Sequence, residues 1–303
     1  MRKVVKSTIF AWVFLLFVLA GCAEVPITGR RQLSLVPESM ITSMSVQEYQ
    51  QFISQSKVSS DPKQNATVTR VATRIVQAVE EYEKTHSQTD RFAGYKWEFT
   101  VVEDPQINAF AMPGGKVVVY TGIMPVTQND AGLAAVLGHE IAHVFAGHGS
   151  ERMSQALLVQ MGGMGLDLAL QKQPEQTRSL FQSAYGLGSQ VGVLLPFSRV
   201  QENEADHLGT IFMAMAGYDP HEAVSFWQRM AAASKGQAKP PEFLSTHPAD
   251  ATRIRNLENL IPEAMQYYKP GGTQGKTPVS QGQPQTPPPG SSAAAPTFPP
   301  IKR

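Results

Sequence analysis

The feature that most constrains this chain is the HExxH motif at residues 139–143, with His139, Glu140 and His143 as its fixed positions. Two histidines four residues apart on a helix point to the same side, so they can bind one zinc ion with Glu140 beside it as a general base. Residues 131–144 are mostly small and apolar, which is typical of a buried helix. Burying histidine and glutamate there is costly unless they are paired or bind something. The sequence therefore predicts a zinc site on a buried helix.

A third ligand is expected about sixty residues further on, at Glu202. An all-histidine site of the metzincin type needs a glycine at position 146 and a histidine at position 149, where this chain has Ala146 and Gly149. His148 lies one residue before the position that this pattern requires. It is interpreted as a helix-end residue that interacts with the helix dipole. Glu202 and Asp206 lie four apart on a second predicted helix and face the same way. We therefore expect Glu202 to bind the metal and Asp206 to accept the free N–H of a ligating histidine.

This set of side chains predicts the chemistry of peptide-bond hydrolysis. Zinc held by two histidines and a glutamate keeps a fourth position for water, whose pKa the metal lowers to about 7. Glu140 would take the water's proton and pass it to the leaving amine. The oxyanion needs a donor beyond zinc. The chain is thus predicted to be a zinc metalloendopeptidase with one Zn²⁺ per chain; the alternative is a lipoprotein chaperone or assembly factor with little proteolysis.

Three motifs carry a family resemblance: HExxH at 139–143, the run Ser-Arg-Val-Gln-Glu-Asn-Glu-Ala-Asp at 198–206, and Ser-Thr-His-Pro at 245–248. Over residues 26–262 the chain resembles the zinc metallopeptidase family of BepA, LoiP, HtpX, mitochondrial Oma and the type I CAAX prenyl endopeptidase. The resemblance implies unfolded or misassembled envelope proteins as substrates, in protein quality control. It also implies roles for individual residues: His139, His143 and Glu202 as zinc ligands, Glu140 as the catalytic base and Asp206 as the supporting acid. By the same resemblance, His247 can close onto the zinc and Arg253 supports activity. These last two residues are also the candidates for the donor that the oxyanion needs.

The N-terminus predicts a lipoprotein. Residues 1–6 are basic, residues 9–19 are apolar, and the run ends at Cys22, the only cysteine in the chain. This is the pattern of a signal peptide over residues 1–21, with an apolar run too short to span a membrane comfortably. Resemblance to bacterial lipobox sequences implies acylation of Cys22, and several acyl chains would anchor the protein stably. Because Ala23 and not aspartate follows, the predicted location is the outer membrane of a bacterial cell envelope, facing the periplasm.

The predicted fold class is α+β, mostly helical, a zincin-like domain with a small sheet beside the HExxH helix. Residues 22–262 are predicted to form one metallopeptidase domain. From residue 263 to residue 303, proline and glycine increasingly replace aliphatic residues, which predicts a disordered tail. The formal net charge of +1 provides no basic field that would recruit nucleic acid.

Periodicity and turn signals place the elements. A strand is predicted over 97–102 and a hairpin over 107–112 and 116–121 around Pro113-Gly114-Gly115. An extended substrate would pair with part of 108–112 or of 116–120, whichever is the sheet edge. The glycine- and methionine-rich segment from Met161 to Gly165 suits a lid or close helix packing. Besides the HExxH helix, helices are predicted over residues 65–83, 150–170, 176–191, 200–216, 220–233 and 248–260.

Overall fold

In the computed structural model, residues 22–86, 91–161, 174–184, 198–234, 241–248 and 251–270 are described. The signal peptide predicted over 1–21, most of the glycine-rich segment and the tail beyond residue 270 lie outside these ranges. The elements in chain order are β1 (Cys22–Glu24), β2 (Arg31–Leu33), α1 (Glu38–Gln55), α2 (Pro62–His86), β3 (Glu98–Val102), β4 (Ala109–Met112), β5 (Lys116–Tyr120), α3 (Met124–Thr127), α4 (Asp130–Phe145), α5 (His148–Met161), α6 (Pro174–Ala184), α7 (Arg199–Met215), α8 (His221–Ser234), α9 (Glu242–Thr246) and α10 (Ala251–Tyr267).

The HExxH helix, α4, lies at the centre of the core. The side chain of Asn129 accepts a hydrogen bond from the backbone N–H of Gly132 and caps the helix N-terminus. Every residue from Gly132 to Phe145 is buried, as predicted from its small and apolar composition. Helix α2 packs against it through Val68, Val71, Ala72, Ile75, Val76 and Val79, which confirms the helix predicted over residues 65–83.

Helix α7 packs closely against α4. It begins with a capping box in which Ser198 accepts from the backbone of Gln201, while the Gln201 side chain accepts from the backbone N–H of Ser198. The two helices meet at Gly138 and Gly209. A Cβ on Gly209 would lie 2.8 Å from the backbone nitrogen of His139, and a Cβ on Gly138 would lie 2.7 Å from the carbonyl oxygen of Gly209. The predicted metal-binding helices therefore depend on two glycines for their separation.

Replacing Gly209 by alanine is expected to destabilise the protein by about 1–3 kcal/mol, because the added methyl overpacks a backbone contact. The free energy of unfolding in denaturant measures the effect. The matched control is Asn203→Ala on the exposed side of the same helix, which should change stability by about 0.5 kcal/mol or less. Equal stabilities for the two variants would contradict the close helix contact.

The sheet has the strand order β3-β5-β4. Strand β3 is parallel to β5, whereas β4 and β5 form the predicted antiparallel hairpin. Gly114 and Gly115 both have positive φ, 78° and 81°, which explains their place in the turn. Strand β4 lies at one edge of the sheet and contacts α4. Of the two candidates for pairing with an extended substrate, β4 is thus the edge strand beside the HExxH helix.

Both faces of the sheet are covered. Ala111 and Val117 face the core around α4, whereas Phe110 and Val118 face a second cluster on the other side, to which α1 contributes. Helix α1 is not predicted from the sequence. Its pattern is weak because polar residues are buried on its inner side; for example, the Ser45 hydroxyl donates to the carbonyl of Pro113 at 2.6 Å.

The C-terminal part differs from the prediction at two places. The residues before His247, where no element is predicted, form the short helix α9, which ends at Thr246. Helix α10 continues through Pro262 to Tyr267, so residues 263–267 are helical where a disordered tail is predicted. Burial of Ile261 and Ala264 holds this extra turn against the core. The α+β, mostly helical class is confirmed. Among the described residues, no helix is both long and apolar enough to span a membrane.

Candidate metal centre

Four buried side chains converge where α4, α7 and the end of α9 meet: His139, His143, Glu202 and His247. One ligand atom from each lies within 4.8 Å of all the others. The Nε2 atoms of His139 and His143 are 3.0 Å apart, and His139 Nε2 lies 3.1 Å from His247 Nδ1. Sequence reasoning named all four, and the structure brings them together.

The donor set fits zinc. Ligands at about 2.0–2.1 Å from a tetrahedral zinc are roughly 3.3–3.4 Å from one another. Here the nitrogen–nitrogen distances are 3.0 and 3.1 Å, and the Glu202 carboxylate oxygens lie 3.4 Å from His143 Nε2 and 3.6 Å from His139 Nε2. Burial lowers the pKa of both His139 and His143 well below its usual range, so both rings are neutral, as metal binding requires.

Glu202 is held as a carboxylate in this buried place. Burial alone would raise its pKa, but the charges of His247 and Arg253 and hydrogen bonds from His143 and His247 bring the pKa well below its usual range. Arg253 Nη1 lies 2.8 Å from Glu202 Oε2, and His247 Nδ1 lies 2.9 Å from Glu202 Oε1. The third predicted ligand is therefore charged and points into the cluster.

Glu140 lies between this cluster and β4, an edge strand of the sheet among the described residues. Burial raises its pKa to about 7, while His247 and a hydrogen bond from the backbone N–H of Ala111 act in the opposite direction. Its Oε1 makes no hydrogen bond to the described residues and lies 3.4 Å from His247 Nε2. A carboxylate with a pKa near neutrality beside a metal site is suited to general base chemistry.

Asp206 and Arg253 support the ring of His139. Asp206 Oδ1 lies 3.0 Å from His139 Nδ1, the position that its predicted role requires. Arg253 Nε and Nη2 donate to the two oxygens of Asp206 at 2.8 and 2.7 Å, and the guanidinium lies 3.4 Å from the centre of the Trp227 ring. Because its remaining nitrogen contacts Glu202 and the Pro248 carbonyl, the geometry favours support by Arg253 over donation to an oxyanion.

The interpretation of His148 as a helix-end residue beside the dipole is wrong. Gly147, with φ 69°, ends α4, and His148 begins α5 with its side chain fully buried. Its Nδ1 lies 2.8 Å from His143 Nδ1 and its Nε2 lies 2.8 Å from Glu204 Oε2. Sequence reasoning missed Glu204 as well; the available signal was a histidine directly after a glycine that ends the metal-binding helix.

Comparison with known proteins identifies the family. The profile of "Peptidase family M48" matches residues 62–261, about two thirds of the chain. The chain belongs to peptidase family M48. It is 35% identical over 269 residues to the mitochondrial metalloendopeptidase OMA1 of Schizosaccharomyces pombe, covering 84% of this chain and 73% of that protein. The corresponding Saccharomyces cerevisiae protein is 30% identical over 84% of this chain and 76% of its own length.

A bacterial relative is also similar. The beta-barrel assembly-enhancing protease of Yersinia pestis is 34% identical over 167 residues, which are 54% of this chain and 34% of that protein. Family M48 membership and the named metalloendopeptidases confirm the predicted activity and cofactor: this M48 chain is a zinc metalloendopeptidase.

The predicted location is wrong. The residues around Cys22 predict a bacterial outer membrane, with the protein facing the periplasm. Relatives that match 84% of the M48 chain are named as mitochondrial enzymes, including those of both yeasts and of Homo sapiens. A short apolar run followed by one cysteine is a brief pattern, and it carries less information about location than similarity over most of the chain.

Proposed function

We propose that this M48 enzyme cleaves unfolded or misassembled proteins in an extended conformation, at a zinc held by His139, His143 and Glu202. The observation that carries the proposal is the position of Glu140, between the ligand cluster and β4, which is an edge strand of the sheet among the described residues. A sheet edge binds an extended chain through its backbone groups, and a folded protein cannot offer such a segment without unfolding locally. The name of the beta-barrel assembly-enhancing proteases also favours misassembled proteins as substrates.

In this proposal each residue has a separate task. Zinc, when bound, supplies the Lewis acidity that activates a water and polarises the scissile carbonyl. Glu140 takes a proton from the attacking water and delivers it to the leaving amine. Asp206, held by Arg253, fixes the orientation and the tautomer of the His139 ring.

The experiment that tests the substrate class compares one protein in two states. The substrate is a β-rich protein that needs its disulfide to stay folded. It is incubated with the enzyme in its intact form and, separately, after reduction and alkylation, which unfold it. We expect cleavage of the unfolded form and little cleavage of the intact form by wild type, and cleavage of neither by Glu140→Gln. Equal cleavage of both forms would contradict a requirement for extended substrate. If Glu140→Gln still assists assembly as well as wild type, the alternative of a chaperone or assembly factor is supported.

Acylation of Cys22 remains a prediction and would attach the enzyme to a membrane. Cys22→Ser is expected to abolish incorporation of a labelled fatty acid, because no other cysteine in the chain offers a thiol. Metabolic labelling followed by isolation of the protein measures this, with Ser34→Ala as the control that should keep the label. A labelled Cys22→Ser protein, or an unlabelled wild type, would contradict the prediction.

A further inference from the structure

Strands β1 and β2 form an N-terminal hairpin, and Arg30 lies in the connection between them. Its side chain contacts two acidic residues near the ligand cluster. Its Nε lies 2.6 Å from Glu204 Oε2, and its Nη1 and Nη2 donate to the two oxygens of Glu151 at 3.0 and 2.9 Å. Arg30 therefore bridges two carboxylates, one on α7 and one on α5. Its neighbour Arg31 is exposed.

Glu204 is the centre of this arrangement. Its side chain is 4% exposed and accepts hydrogen bonds from the Thr28 hydroxyl, from Arg30 and from His148. Thr28 and Arg30 both belong to the hairpin connection. A carboxylate so deeply buried is stable only with charged or hydrogen-bonding partners, and the hairpin supplies two of its three.

His148 joins Glu204 to the metal centre. Its side chain is fully buried, with Nε2 2.8 Å from Glu204 and Nδ1 2.8 Å from His143 Nδ1. If His143 Nε2 binds the metal, the proton of that neutral ring is on Nδ1 and donates to His148 Nδ1. The proton of His148 is then on Nε2 and donates to Glu204. The two hydrogen bonds thus fix the tautomer of both rings.

The other histidine ligand has a similar arrangement. His139 is backed by Asp206, which Arg253 holds. His143 is backed by Glu204 through the additional ring of His148, and Arg30 holds Glu204. Each ligating ring is therefore linked, directly or through His148, to a buried carboxylate that is paired with an arginine.

We propose that Arg30 is a positioning residue for the zinc ligand His143. It acts through Glu204 and His148, so that the N-terminal hairpin completes the metal centre. The inference rests on the proposed function only in taking His143 as a zinc ligand. Without Arg30, Glu204 loses its charged partner in a buried site and holds His148 less firmly, which leaves the ring of His143 freer to turn.

The test is the zinc affinity of the full chain, measured by competition with a chelator. Removing the outer partner of a metal ligand typically lowers affinity by about 10–100-fold, which is the expectation for His148→Leu. Arg30→Met acts one contact further away, and we expect a loss of about 3–10-fold, at the lower end of that range or below it. Arg31→Met is the matched control and should bind zinc like wild type.

The double variant separates positioning from general stabilisation. If Arg30 acts through His148, then Arg30→Met added to His148→Leu lowers zinc affinity no further. Additive losses, or an Arg30→Met protein that binds zinc like wild type, would overturn the inference. If Arg30→Met does not fold, Glu204→Gln takes its place. Its zinc affinity is then compared, alone and combined with His148→Leu, in the same way. A wild-type chain that binds no zinc would instead overturn the proposed metal site itself.

Discussion

Glu140→Gln is expected to bind one zinc per chain and to lose turnover by about 10²–10⁴-fold, the usual contribution of a general acid–base residue. Glutamine keeps the shape and the burial of this side chain but cannot accept a proton. The loss should appear in kcat, because Glu140 is not among the four residues whose ligand atoms converge. Cleavage of an unfolded protein and metal analysis of the same preparation provide the two measurements.

The matched control for this prediction is Glu258→Gln, the same change at an exposed position on α10. It should leave both zinc content and turnover unchanged. If Glu140→Gln retained wild-type turnover, the proton transfer would have to be assigned to another group.

His247→Ala is expected to raise basal cleavage. His247 is the fourth member of the cluster. The reason for this prediction is the hypothesis that its ring, when neutral, would convert an open catalytic site into a closed one by occupying the place that water needs. On this hypothesis His247 would have to leave before substrate is cleaved. The fully buried Phe243 holds α9 in place by stacking on Trp227 and by donating its backbone N–H to the Ile107 carbonyl at 3.2 Å, directly before β4.

The size of the rise follows from the population of the open form. If the closed form is favoured by about 1.4 kcal/mol, deleting the ring raises basal activity about tenfold. Phe243→Leu loosens the same helix but keeps His247, so it should raise cleavage in the same direction and by less. Casein cleavage and self-cleavage measure both variants.

A catalytic role for His247 predicts a fall in cleavage instead of a rise. If it donates a hydrogen bond to the oxyanion, His247→Ala falls to the level of Glu140→Gln. An unchanged rate would exclude both roles. His247 Nε2 lies 3.4 Å from Glu140 Oε1, so its side chain is beside the predicted general base.

The elements that the sequence predicted well are those with a strong local signal. Helix α4 has continuous apolar composition and a side-chain cap, and the β4–β5 hairpin has two adjacent glycines with positive φ. Helix α1 was missed because its buried side includes Ser45 and Glu48, whose partners come from distant parts of the chain.

The candidate site follows the same rule. His139, Glu140 and His143 share one helix, and Glu202 and Asp206 share another, so spacing was enough to group the residues within each helix. Joining the two groups required eliminating other third ligands. The contact of Arg30 with Glu204 joins positions 174 residues apart and leaves no periodic pattern in the sequence. Only the folded hairpin shows it.

The central claim is that His139, His143 and Glu202 bind the catalytic zinc. The most direct test is metal analysis of the purified wild type beside Glu202→Ala, with Glu140→Gln as the control that keeps all three ligands. We predict one zinc per chain in the wild type and the control, and the loss of most zinc in Glu202→Ala. A full complement of zinc in Glu202→Ala would contradict the claim.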